Sequence, residues 1–156
     1  MTLREDLNAA MKEAMRDRDS VRLSTLRLVN AAVKDRDIAA RAGDRCGGIG
    51  DAEIISLLAK MVKQREESAK IYEDNGRAEL AERERTEIGV MRAFMPEPLP
   101  DDELKAAIRA FIEEFDATCL KDMGRIMERI KSDYAGRVDM AKAGRLVKDY
   151  LCGQSA

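Results

Sequence analysis

Histidine and tryptophan are absent, proline occurs three times, and aromatic residues make up only 4% of the 156 residues. The missing histidine excludes the most. No Ser-His or Cys-His nucleophile pair can be built. A His-ligated zinc or iron centre is excluded too, as is the His-containing diiron pair of bundle proteins. Any chemistry would have to rest on carboxylates, lysines, thiols or hydroxyls. What is present is 45% apolar and 37% charged, with few β-formers, which predicts helices with long solvated faces. The length allows one domain or two small ones.

The net charge of −2 gives no bulk attraction for nucleic acid, so a basic surface has to be sought segment by segment. Cys46, Cys119 and Cys152 are far apart and odd in number, which fits a reducing compartment better than a disulfide framework. The charged first residues contain no apolar core of a secretory signal, and no run of 18 apolar residues predicts a membrane span. The expectation is a cytoplasmic protein with no membrane partner.

Helical spacing organises the chain. Thr2-x-x-Glu5 is a capping box that opens a helix carrying Leu3, Leu7, Met11, Ala14 and Met15. Asp19 or Ser20 caps a second, with Leu23, Leu26, Val29, Val33 and Ile38, which ends at Gly43 in a left-handed position. Gly47, Gly48 and Gly50 predict a flexible loop. A third helix begins at Asp51, and Asn75-Gly76 is a turn. A fourth runs from Ala78 to Met95, with Glu82 to Glu87 facing water and a Glu79–Arg83 pair.

All three prolines, Pro96, Pro98 and Pro100, fall in five residues and make a semi-stiff connector. The expected architecture is therefore all-α: an N-terminal domain of about four helices over 1–95, a connector over 96–100, and a small three-helix domain over 101–156. In the latter, Leu104, Ile108, Phe111, Ile112 and Phe115 form one stripe. Thr118 caps a short helix with Ile126 and Ile130, and Asp139 caps the last.

Few local motifs carry chemistry. Gly48-Ile49-Gly50 starts like a dinucleotide fingerprint, but no strand precedes it and Glu53 stands where the third glycine belongs. No phosphate-binding GxxxxGK[ST] loop exists. Carboxylate doublets such as Glu66-Glu67 and Glu113-Glu114 diverge by about 100° on a helix and do not converge on one substrate. Cys119 near a helix start has no resolving partner nearby. No cofactor or metal is expected.

Charge is uneven beyond the connector. Residues 101–119 hold six acidic and two basic side chains, net −4, whereas residues 120–156 hold eight basic and five acidic, net +3. Lys121, Arg125 and Arg129 are spaced i, i+4, i+8 along one helix face, and Lys142, Arg145 and Lys148 roughly share another. Such faces suit phosphate contacts, although solvated charge on a helix is commonplace.

Several segments in order resemble the GatB/YqeY family, specifically its small stand-alone YqeY-like members, over essentially the whole chain. They are Leu26-Arg27-Leu28-Val29-Asn30-Ala31-Ala32-Val33-Lys34, Lys60-Met61-Val62-Lys63-Gln64-Arg65-Glu66-Glu67-Ser68, and Glu84-x-x-Glu87-Ile88 leading to Phe94-Met95-Pro96. Lys121-Asp122-Met123-Gly124-Arg125-Ile126-Met127 and Gly136-Arg137-Val138-Asp139 complete the set. Pro100 departs from the family's usual Ser or Thr, so capping passes to Asp101 or Asp102.

The resemblance implies kinship with the C-terminal tail of the B subunit of the glutamine-dependent tRNA amidotransferase. That tail helps hold the outer corner of tRNA. It also implies the label of a carbon–nitrogen ligase using glutamine as amido-N-donor. The chain lacks a phosphate loop, an amidase signature and the length for either, so the expectation is a tRNA-binding accessory protein without its own catalytic site. Carrying the tail's role over makes Lys121, Arg125, Arg129, Arg137, Lys142 and Arg145 the candidate tRNA contacts, with Gly124 permitting close helix packing. Two alternatives stand beside it. One is a ligase component that acts only in complex with amidotransferase subunits, and the other is a helical protein-interaction module.

Overall fold

The structure, a computed structural model, describes residues 2–154. Among them are seven α-helices and no strand, so the fold is all-α. The helices are α1 (Leu3–Arg16), α2 (Ser20–Arg41), α3 (Asp51–Asp74), α4 (Ala78–Arg92), α5 (Asp101–Glu114), α6 (Met123–Asp133) and α7 (Met140–Gln154), with a 3-10 turn at Leu120–Asp122 before α6. The chain divides into two compact units, Met1–Met95 and Pro96–Ala156.

In the first unit each helix contributes its apolar stripe to one core. Leu7 and Ala14 come from α1, Leu26, Val29 and Val33 from α2, Ile54, Leu58 and Val62 from α3, and Ile88 and Met91 from α4. Burying each large aliphatic side chain is worth about 1.5–3 kcal/mol. The helix starts form as the sequence predicts. The Thr2 hydroxyl accepts from Glu5 N at 3.3 Å while Glu5 accepts from Thr2 N at 2.8 Å. Asp19 caps α2 by accepting from Arg22 N at 3.1 Å.

The expected ends shift. Helix α2 stops at Arg41, and Asp44 (φ 66°), not Gly43, takes the left-handed position. Helix α4 stops at Arg92, short of Met95. Pro96 disfavours helical geometry at the preceding residue, and the chain leaves through tight turns, Phe94 N to Met91 O and Met95 N to Arg92 O, both 3.1 Å. The Glu79–Arg83 pair does not form; Arg83 reaches Glu87 instead, at 3.6 Å.

The glycine loop is tied down rather than flexible. Asp37 on α2 accepts from Arg4 Nη1 at 2.7 Å, Arg4 Nη2 at 2.9 Å and the Ile49 amide at 2.9 Å. Arg4 Nη2 also donates to Ile49 O at 3.1 Å. This seats Ile49 in the core, 7% exposed. Gly48 makes the turn possible. Its φ is +80°, and a Cβ there would lie 2.5 Å from Asp37 Oδ1.

In the second unit Leu104, Ile108, Phe111 and Ile112 of α5 pack with Ile126 and Ile130 of α6 and with Ala143, Val147 and Leu151 of α7. Leu99 of the connector joins this core, and its amide donates to Arg137 O at 2.8 Å. Neither Asp101 nor Asp102 caps α5. Pro100 is the N-cap without a side-chain bond, because its fixed φ already suits that position, and Asp101 pairs with Lys142 at 2.5 Å. Thr118 does not cap either; its amide donates to Asp122 Oδ2 at 3.1 Å. Asp139 does cap α7, accepting from Ala141 N at 3.0 Å.

The close-packing role expected of Gly124 belongs to Gly144. A Cβ at Gly144 would meet the Cε atoms of Met123 and Met127 at 3.6 and 3.7 Å, whereas nothing lies within 4 Å of one at Gly124.

Candidate functional site

The six candidate basic residues of the second unit fall into three groups. Arg125 and Arg129 lie on the α5–α6 seam, one helical turn apart, or about 6 Å along the axis. The Arg125 guanidinium stacks 5.7 Å from the Phe115 ring and that of Arg129 5.4 Å from Phe111. Each also meets carboxylates: Arg125 binds Asp122 at 2.8 Å, while Arg129 binds Asp133 at 2.9 Å and Glu114 at 3.3 Å. The Arg125 guanidinium first, then the Thr118 amide, holds the Asp122 carboxyl below its usual range. Asp133 raises Arg129 further above its ordinary value.

Arg137 and Lys142 form the second group, at the start of α5. Arg137 Nε donates to Glu97 O at 2.9 Å, and Lys142 is bonded to Asp101 and lowers its pKa. Lys121 and Arg145 are exposed, with no ion pair or hydrogen bond to another described side chain. Among the described residues no ion pair or hydrogen bond joins the three groups. The i, i+4, i+8 row thus splits, because Lys121 sits in the 3-10 turn, out of phase with α6.

A different cluster in the first unit was not anticipated. Glu82 to Glu87 was expected to face water, yet Glu87 is buried, 7% exposed, and Glu84 is half-buried. Arg65 on α3 lies 3.2 Å from Glu87 Oε2 and 3.5 Å from Glu84 Oε2. Its Nε is enclosed without an acceptor among the described residues. The sequence did hold the signal. Arg65 continues the stripe Leu58, Val62, Arg65, Ala69, and Glu84 and Glu87 fall at stripe positions between Ala81 and Met91. A cation on one stripe facing carboxylates on the next is a built junction.

Beside it, an open groove of about 430 Å³ runs between α3 and α4. Its floor is Ala69, Ile88 and Gly89, and its walls are the ion pairs Glu66–Arg92 and Glu73–Arg85. Both carboxylates that line the groove, Glu66 and Glu73, are thus matched to arginines. Among the described residues no three His, Cys, Asp or Glu side chains converge to hold a metal ion. No described helix is long and apolar enough to cross a membrane.

Several named proteins are similar to this chain. The "Altered inheritance of mitochondria protein 41, mitochondrial" of Clavispora lusitaniae is 29% identical over 137 residues, covering 85% of this chain and 76% of its own. The protein of the same name from Eremothecium gossypii is 30% identical over 115 residues, covering 72% and 60%. That of Lachancea thermotolerans is 28% identical over 90 residues, 58% and 46%. The chain therefore spans about half to three-quarters of these relatives' length.

Each relative is named as a mitochondrial protein, which overturns the expected cytoplasmic location. That expectation rested on isolated thiols and the lack of a secretory core. The first reports a reducing environment and the second the lack of a secretory route, and neither separates the cytosol from an organelle. The family described as Yqey-like protein matches residues 4–151, nearly the full length, and the chain belongs to that family.

Proposed function

We propose that this protein is a tRNA-binding accessory protein without its own catalytic site, and that the Arg125–Arg129 seam of the second unit is its centre of contact. The observation that carries this reading is the pair of guanidinium groups held against Phe115 and Phe111. Stacking fixes a guanidinium at little entropic cost and leaves N–H donors for phosphate, to which the planar fork is matched. The side chains stay 60% and 41% exposed. Their carboxylate partners are no obstacle, since exposed ion pairs are worth about 0–1 kcal/mol and a phosphate can replace one at small cost.

Lys121 and Arg145, without an ion pair among the described residues, add charge, while Arg137 holds the connector and Lys142 the α5 start. With so few aromatic residues, and with Phe111 and Phe115 already committed, recognition would be of RNA shape and backbone rather than of stacked bases. The resemblance to the amidotransferase tail supports tRNA as the RNA.

The test is a mobility-shift titration of folded tRNA, mitochondrial tRNA included because the relatives are named as mitochondrial. Wild type should bind in low salt, and R125E/R129E should weaken binding at least tenfold, or about 1.4 kcal/mol. Equal binding by both proteins, or none by either, overturns the proposal.

A further inference from the structure

Helix α2 carries a second surface that the RNA reading leaves unused. Its inner face is filled by Thr25, Leu26, Val29 and Val33, all buried. Its outer face is half apolar. Val21 (37% exposed), Leu28 (50%) and Ile38 (63%) supply three of the seven large exposed apolar side chains among the described residues. Exposed Ala31 lies between them. Scattered exposed aliphatics need no explanation, but these share one face of one helix.

Alongside runs a cationic row. Arg27, Lys34 and Arg41 recur every seven residues, about 10 Å apart, and all are exposed. None has an ion pair or hydrogen bond to another described side chain. By contrast, Arg4, Arg45, Arg65, Arg85 and Arg92 of the same unit are paired with carboxylates. Of the acidic residues of α2, Asp37 is bonded to Arg4 and attracts Arg41 only at longer range, and Asp35 makes no ion pair with a described residue.

We propose that this face docks an acidic amphipathic helix of a partner protein. Its apolar ridge would cover Val21, Leu28, Ala31 and Ile38, and its Asp or Glu residues, repeating every seven, would meet Arg27, Lys34 and Arg41. Charge complementarity selects the occupant. Nucleic acid would satisfy the cations but leave the apolar row against water. The row has no aromatic side chain to anchor it in a bilayer, and the charged Asp35 falls within it. A second copy in an antiparallel two-fold pairing would set the cationic row against itself.

The test uses the full chain and defined probes. One is a designed acidic peptide with Leu at i, i+3, i+4 and i+7 flanked by Glu. The others are the same Leu pattern flanked by Lys, vesicles of phosphatidylserine and phosphatidylcholine, and tRNA. Backbone NMR shifts and anisotropy titrations are the readouts.

The acidic peptide should shift the amides of residues 21–41 and bind at least tenfold tighter than the Lys peptide. R27E/K34E/R41E should remove that preference. L28S/I38S should weaken the acidic peptide about tenfold, with helical content and tRNA binding unchanged. The proposal is overturned by equal binding of the two peptides or no α2 shift at about 1 mM peptide. Vesicle binding or self-association through this face, in place of the acidic peptide, overturns it too.

Discussion

Removing the Asp37 carboxylate tests the account of the first unit. Arg4, and after it the Ile49 amide, lowers the Asp37 pKa from 3.8 to about 2. The native state therefore binds fewer protons than the unfolded chain, so this stabilisation is complete above about pH 5 and is lost as pH falls through about 2. A fall of about 1.8 pH units at 1.36 kcal/mol each sets an upper value of about 2.4 kcal/mol. The Arg4 side chain is 35% exposed, so solvent screening reduces the figure to about 1–2 kcal/mol.

Asp37→Asn keeps the shape, loses the charge and turns an N–H toward Arg4. It should cost about 1–2 kcal/mol at pH 7, read as a lower urea midpoint by circular dichroism at unchanged slope. The gap between wild type and variant should shrink by nearly half at pH 3. A gap of the same size at pH 3 and pH 7, or no gap at pH 7, refutes the assignment.

Further changes probe the other arrangements. Gly48→Ala places a Cβ at a left-handed φ against Asp37 and should cost about 1–3 kcal/mol. Gly50→Ala, in open space at φ −87°, should cost under about 1 kcal/mol, and similar urea midpoints for the two would contradict the close-approach argument. Arg65→Ala leaves buried Glu87 with only the longer contact to exposed Arg83, and a double-mutant cycle with Glu87→Ala should show coupling of about 0.5–3 kcal/mol in urea melts. Additive effects would mean the junction is not a unit. Ile126→Ala, at a fully buried site, should cost about 2–5 kcal/mol, read as a lowered thermal midpoint.

The helices were legible because stripe spacing alone places Leu26, Val29 and Val33, or Leu104, Ile108, Phe111 and Ile112, on one side of a helix. Ends decided by the chain beyond the helix were not. Gly43 looked like the stop for α2, but the Asp37–Ile49 bond dictates the path of the loop and puts the left-handed turn at Asp44. Glu87 was hidden for a related reason. Composition marks Glu82–Glu87 as a solvated run, and Arg65 on the neighbouring helix, together with Arg83 one turn back, offsets the cost of burying a carboxylate.

In the second unit the cations could be counted in sequence, but their grouping could not. Arg125 and Arg129 are joined by rings of α5, and Arg137 and Lys142 by the connector and the α5 start. Those are tertiary contacts between residues 10 to 41 positions apart.

The salt dependence of tRNA binding tests the central claim most directly. Anisotropy titrations of labelled tRNA between about 50 and 200 mM salt should give a log–log slope of about −3 to −4 for wild type, corresponding to about four phosphate contacts. R125E/R129E should flatten that slope by about 2. A slope near zero, or one the double variant leaves unchanged, contradicts binding through this seam.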